Sequence, residues 1–215
     1  MNSIDELLTQ YQLTKGSLCP GALLGLRMAV LGCSLIGIDD PRGVDEKKLV
    51  IWIEIDRWLA DAVETVTGAR LGKRTLKFLD HGKLAATFLN LQTGKAVRIV
   101  ALESSRGLAD QRHPEIKSKH VRQLSVYREA TDEELFAVTV VAVQLNEIDA
   151  PGHPRSRVIC ARCSEAVNDG REISLHDGST LCRPCAFDAS FALTEEVVTT
   201  YDPWAACGHH NLPVS

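Results

Sequence analysis

Cys160-Ala161-Arg162-Cys163 and Cys182-Arg183-Pro184-Cys185 are two Cys-x-x-Cys knuckles with 18 residues between them. This spacing lets four thiolates converge tetrahedrally on one zinc ion. The segment they enclose is too short to build an apolar core of its own. Metal–sulfur bonds would therefore contribute most of its folding free energy, about 10–16 kcal/mol in zinc-finger peptides. The alternative for the same residues is a pair of redox dithiols or disulfides. Two knuckles in one short segment fit a four-thiolate site better than a lone redox pair. The expectation is a small module whose cofactor is Zn2+.

Working outward, a chain of 215 residues, 45% of them hydrophobic and 24% charged, can bury one sizeable core and still leave material for a second unit. Seven cysteines, four in knuckles and three scattered (Cys19, Cys33 and Cys207), do not resemble a secreted disulfide framework. The first residues carry no basic leader, and no apolar run approaches the roughly 18 residues that cross a bilayer. The sequence reading predicts a soluble cytoplasmic protein with no membrane partner. A net charge of −4 gives no electrostatic reason to expect nucleic-acid binding.

Ser3-Ile4-Asp5-Glu6 has the form of a capping box, and Leu7, Leu8 and Tyr11 follow at helical spacing. A second helix is predicted from Pro20, capped by Cys19 and closed by Gly37. Its Gly21, Ala22, Gly25, Ala29 and Gly32 imply tight packing, because three glycines lower intrinsic helicity. Leu49 to Ile55 reads as a buried strand, followed by a helix with Asp56 as cap and Gly68 past its end. Thr75 to Leu79, Leu84 to Leu91 and Ala96 to Leu102 suggest an antiparallel meander turning at Asp80-His81-Gly82-Lys83 and Gln92-Thr93-Gly94-Lys95. A helix is expected from Glu115 to Ala130, its basic outer face read as solvated surface. A single turn capped at Thr131 and a closing strand from Ala137 to Leu145 follow. Prolines and a glycine between Asp149 and Ser156 suggest a linker.

Among the thiols outside the knuckles, Cys19 sits where a helix begins. The dipole and free N–H groups there favour a thiolate as ligand or nucleophile, against the plainer role of a buried cap. Asp56, Asp61, Asp80 and His81 could bring carboxylate and imidazole to it, although cap and turn roles are the commoner use of such residues. Cys33 reads as a small buried apolar group. The terminal Cys207-Gly208-His209-His210 offers soft and borderline donors on a tail without preorganisation.

Several segments in order resemble the formylmethanofuran dehydrogenase FmdE family. They are Leu18-Cys19-Pro20-Gly21, Leu24 to Met28, Glu54-Ile55-Asp56-Arg57 with Asp61-Ala62-Val63, Leu71-Gly72-Lys73-Arg74, Asp80-His81-Gly82-Lys83, and Thr93 to Arg98. The resemblance covers residues 14 to about 145. It implies an α+β fold, a mixed helix and antiparallel-sheet domain followed by a small treble-clef or zinc-ribbon domain similar to that of DksA/TraR proteins, commonly paired into a homodimer. The expected divisions are 1–148 for the α+β domain, 149–158 for the linker, 159–192 for the zinc finger and 193–215 for a tail. The family's His-Gly-His-x-Cys-Pro-Gly motif is Lys15-Gly16-Ser17-Leu18-Cys19-Pro20-Gly21 here, and a family cysteine is replaced by Trp58. Losing three donors implies a lost or remodelled N-terminal metal site, with Trp58 filling the pocket or stacking on a flat ligand.

The reading that follows is a zinc-binding accessory protein linked to molybdenum or tungsten formylmethanofuran or formate dehydrogenase-type metabolism. Its metal ligands are Cys160, Cys163, Cys182 and Cys185, and its ligand cleft draws on Cys19, Ser17, Asp56, Trp58, Asp61 and His81. The resemblance makes a homodimer and molybdenum or tungsten enzyme subunits the expected partners. Two other readings remain open: a thiol-dependent enzyme using Cys19, and a zinc-finger regulator contacting transcription machinery, for which no basic stripe is present.

Overall fold

The structure is a computed structural model that describes residues 3–187. Cys207, His209 and His210 lie outside the described residues, and so does most of a short helix that the sequence predicts from Ala186 to Thr194. The chain divides between His153 and Pro154 into two compact units.

In the first unit, α1 (Ile4–Lys15) opens on the capping box. Ser3 donates its N–H to Glu6 Oε2 at 2.8 Å, and Glu6 returns one to Ser3 Oγ at 3.3 Å. Helix α2 (Pro20–Leu35) starts where proline and cap place it, with Cys19 Sγ accepting the Ala22 N–H at 3.3 Å. Its small residues let it wedge between neighbours. A Cβ on Gly32 would lie 2.4 Å from the Phe88 ring, and one on Gly25 would lie 2.7 Å from Ala62. Leu23, Leu26, Met28, Ala29 and Cys33 on the same helix are buried in the main core, which agrees with the packing its composition implies.

Five strands form one mixed sheet: β1 (Leu49–Ile53), β2 (Leu76–Phe78), β3 (Ala85–Asn90), β4 (Ala96–Ala101) and β5 (Phe136–Val140), in the order β2-β1-β3-β4-β5. The predicted meander is corrected in part. Only β3 and β4 form a hairpin, turning at Gly94 with φ 73°, whereas β2 pairs parallel with β1, Ile51 opposite Leu76. The reason is α3 (Trp58–Thr67): a helix between two strands supplies the length for a parallel return, so the turn after β2 must then pass over β1.

Helix α3 itself starts later than predicted. The Glu54 N–H still donates to Ala85 O, and Lys83 N–H donates to Glu54 O, both at 3.0 Å, so the sheet keeps the chain beyond Ile53. Arg57 takes the cap position without a side-chain bond and Asp56 is left exposed. Gly68 closes the helix in the left-handed region, φ 69°, as predicted.

The helix predicted from Glu115 starts later, and another helix precedes it. α4 (Ser105–Arg112) was not expected, and α5 (Lys119–Glu129) begins only after Ser118 caps it. Pro114 separates them, since proline disfavours helical backbone at the preceding residue. A single turn, α6 (Asp132–Leu135), follows; Thr131 N–H donates to Glu134 Oε2 at 2.8 Å. The closing strand ends at Val140 rather than Leu145. Beyond it, Lys77 Nζ catches the Asp149 carbonyl at 2.6 Å and Arg74 catches that of Ile148. A 3-10 turn, Glu147–Asp149, ends on the first residue of the stretch read as linker, and Arg157 near its end already opens a strand.

The second unit holds two hairpins, β6 (Arg157–Ile159) with β7 (Ala166–Asn168) and β8 (Glu172–Ser174) with β9 (Thr180–Cys182), and the short helix α7 (Arg183–Ala186). Its apolar core comprises Cys160, Val167 and Cys182 with four partly buried neighbours. Among the described residues no helix is long and apolar enough to cross a membrane.

Gly32→Ala adds a methyl where the Phe88 ring already lies, and the overpacking, about 1–3 kcal/mol, outweighs a helix-propensity gain of about 1 kcal/mol. Urea unfolding should show a net loss of about 1–2 kcal/mol. Gly72→Ala, with nothing within 4 Å of its added Cβ, should stay within about 0.5 kcal/mol of the parent.

Candidate functional site

The first knuckle lies in the turn of the β6–β7 hairpin. Cys160 N–H donates to Glu165 O and Ser164 N–H to Cys160 O, both at 2.9 Å, with Ser164 in the left-handed region at φ 63°. The second knuckle spans the end of β9 and α7. Two bonds tie them together, Ala161 N–H to Thr180 O at 2.8 Å and Arg162 Nη1 to Cys185 O at 3.1 Å. The four sulfur atoms lie within 4.8 Å of one another, and Cys163 and Cys182 are 3.8 Å apart. A tetrahedron with metal–sulfur bonds of about 2.3 Å has edges of about 3.8 Å. A disulfide would need about 2.05 Å, and all four cysteines are free.

The thiols of the cluster are not equivalent. The N–H groups of Cys163 and Cys182 pull the Cys160 thiol down to about 6, whereas the Cys182 thiol, then burial, push Cys185 up to about 12. Thiolates so close repel one another unless a cation sits among them. The soft donor set, the spacing and the closed shell of four protein ligands all fit a structural metal. Because the unit has so little apolar core, Cys182→Ala should unfold it alone. Hydrogen exchange should show amide protection lost in β6 to β9 and kept in α2.

In the first unit a cleft of about 290 Å3 opens at the start of α2. Of the residues predicted for it, Cys19 and Trp58 are on its wall. Gly21 lies between them, its missing Cβ 3.8 Å from Trp58 Cδ1 and 3.9 Å from Cys19 Sγ. The other four are not among the lining residues. Ser17 is exposed in the loop before Cys19, and Asp56 is exposed in the bend before α3. Asp61 faces Lys15, whose ammonium lies 3.2 Å from Asp61 and 2.6 Å from Glu64; the Glu64 bond chiefly raises the lysine pKa. His81 is drawn to Glu54, its Nδ1 3.3 Å from Oε2. Carboxylate and imidazole are thus not gathered at Cys19, because each already has a partner of its own or faces water. The far wall comes from Ser105 and Arg106 of α4 and from Gln123 and Tyr127 of α5, which no pattern in the sequence had marked.

The sequence reading also missed an ion pair. Glu54, 4% exposed, receives Arg98 Nε at 2.6 Å and Nη2 at 2.8 Å. Arg98, Thr87 and Trp52 are aligned in register across β4, β3 and β1, on the face opposite Val97, Ile99 and the helices. The Arg98 bonds hold the Glu54 carboxyl below its usual range despite burial. The polar residue ending an apolar strand was the available signal. Glu54→Gln should cost about 2–3 kcal/mol at pH 7, the low end for a broken buried pair because Arg98 keeps 31% of its side chain in water. Since the folded pKa is depressed, this stability is present above the unfolded carboxylate value, about 4.3, and is lost as pH falls through the folded one. The Tm gap between parent and variant should close on acidification.

These features define an α+β domain with a cleft at a helix start, followed by a four-cysteine module. A family described as FmdE, molybdenum formylmethanofuran dehydrogenase operon, matches residues 14–147, more than half of the chain. The chain belongs to the FmdE family. A probable S-adenosyl-L-methionine-binding protein of Archaeoglobus fulgidus is 31% identical over 205 residues, covering 86% of this chain and 54% of its own. This chain therefore spans about half the length of that relative. The crystal structure of a tungsten formylmethanofuran dehydrogenase FmdE-like protein from Syntrophus aciditrophicus has a TM-score of 0.59 at 24% identity. It covers 89% of this chain and 96% of the other, a likeness of fold.

Proposed function

We propose that this FmdE-family chain is an accessory protein of molybdenum- or tungsten-dependent formylmethanofuran or formate dehydrogenase-type metabolism. In this reading a structural zinc fixes its second unit, and the cleft at Cys19 takes a small ligand. The observation that carries it is the family match, which runs through the whole cleft-bearing domain, residues 14–147. The role of zinc is supported by the closed set of four sulfur donors, which leaves no position for a substrate and so favours structure over catalysis. The name of the Archaeoglobus relative points to small-molecule binding in a protein of related sequence, and the cleft is of a size for such a ligand. The protein would work in the cytoplasm as a homodimer associated with dehydrogenase subunits.

The same proposal assigns the chain one metal. Lys15 and Ser17 stand where the resemblance expects histidines, and the Lys15 ammonium supplies Asp61 and Glu64 with their counter-charge. Metal analysis of the purified chain should find one zinc, lost in Cys160→Ser and kept in Cys19→Ser. A second equivalent that depends on Cys19 would sink the single-metal assignment, and a chain free of zinc would sink the structural-zinc reading. For the accessory role, affinity capture of the tagged chain from its native cells should recover molybdenum or tungsten dehydrogenase subunits; their absence after cross-linking would count against it.

A further inference from the structure

The core rows of the sheet run out into water at β5. Val138 lies opposite Ile99 and Val140 opposite Val97, both in the main core, yet Val138 is 44% exposed and Val140 83%. From Leu135 to Asn146 the chain carries no charged residue and no proline. A regular, uncharged strand at a sheet edge is a template for further pairing, which proteins usually blunt with short strands, lysine or proline. The opposite edge is managed in that way: β2 has three residues, and its Lys77 holds the Asp149 carbonyl at 2.6 Å. Nothing comparable guards β5 among the described residues.

The hydrogen bonds fix which groups of this edge are free. Leu102 N–H donates to Leu135 O at 2.8 Å, and Val141 N–H donates to Ala96 O at 3.1 Å. Bonding alternates along an antiparallel strand, so Ala137 and Thr139 also turn toward β4, while Val138 and Val140 turn their N–H and C=O groups outward. Phe136 shares that outward parity, but its N–H already donates to Asp132 O. The free set is therefore centred on Thr139. A second copy placed by a two-fold axis through Thr139, perpendicular to the sheet, sets Val138 of each copy opposite Val140 of the other. Every outward N–H and C=O of the two valines then meets its complement, and the two threonines face each other in the close pair that does not exchange hydrogen bonds. Thr–Thr and paired β-branched side chains are favourable neighbours across strands, and no charge opposes its own copy.

We propose that β5 is the interface of a homodimer: two copies of this chain join edge to edge, antiparallel and centred on Thr139, so that their two five-stranded sheets become one with the helices of both copies on the same face. The occupant is a second copy because both the free backbone groups and the apolar side chains of this edge are self-complementary across a two-fold, which is what a symmetric dimer requires. The proposal rests on the reading of the protein as a homodimer, and adds where its copies meet and in what register.

Sedimentation equilibrium of the full zinc-loaded chain should give a dimer. Val138→Pro removes an outward N–H and leaves the bonds to β4 in place, so it should weaken the dimer at least about tenfold while the amides of α2 stay protected from exchange. Thr139→Lys and Thr139→Glu each set like charges face to face at the axis and should each weaken self-association about three- to fivefold, whereas a mixture of the two should associate more tightly than either alone. A dimer that none of these variants weakens leaves the homodimer standing and overturns this interface. A chain that stays monomeric at every concentration overturns both, and protected Val138 and Val140 amides in that monomer would mean that the edge is covered from within one chain. The charge pair decides even if Val138→Pro fails to fold: a mixture that associates no more tightly than the separate variants overturns the proposal.

Discussion

Helix α2 approaches Phe88 of β3 and Ala62 of α3 more closely than any residue with a Cβ would permit at positions 32 and 25. Everything in the first unit is set by that approach. Glycine is a poor helix former, costing about 1 kcal/mol at each position, so isolated α2 would be marginal. The loss is offset by burial, since Leu23, Leu26, Met28, Ala29 and Cys33 are lost to solvent against the sheet and neighbouring helices. The same seating fixes the start of α2, and with it Cys19 and Gly21, beside the start of α3.

Charge is distributed around this frame so that most groups are neutralised away from the cleft. Lys15 takes Asp61 and Glu64. Arg98 and His81 take Glu54 on the opposite face of the sheet. Arg27, partly buried, serves the carbonyls of Tyr127 and Ala130 and the Asp132 carboxylate. At the cleft wall Glu103 is matched by Arg106. A cysteine at the first helical cap is in this setting a hydrogen-bond acceptor for Ala22 before it is anything else.

The two units are stable for different reasons. The first has a core that joins six helices, α1 to α6, to a five-stranded sheet, and its stability follows from apolar area removed from water. The second has hairpins of three-residue strands and a core that includes two of its own metal-binding cysteines. Its sulfur atoms are brought together where one backbone bond, from Ala161 N–H to Thr180 O, and one from the Arg162 side chain to Cys185 O link the hairpins.

Features written within a few residues were legible in the chain itself. The Ser3–Glu6 capping box, Pro20 behind Cys19, Gly68 at the end of α3 and the two knuckles depend on neighbours one to four positions away, where chain connectivity already enforces proximity. The knuckle spacing alone marked the four cysteines whose sulfur atoms the fold brings together. Strand order was not legible: β2 lies parallel to β1 because of what α3 does between them, and the local turn at Asp80 to Lys83 is compatible with either arrangement. Glu54 and Arg98 are 44 positions apart, and Cys19, Trp58 and Tyr127 come from three helices. Residues alone determined the capped starts of α1 and α2 and the two cysteine knuckles; tertiary packing decided where α3 and α5 begin and which side chains share a cavity, since contacts between distant segments depend on how the whole core closes.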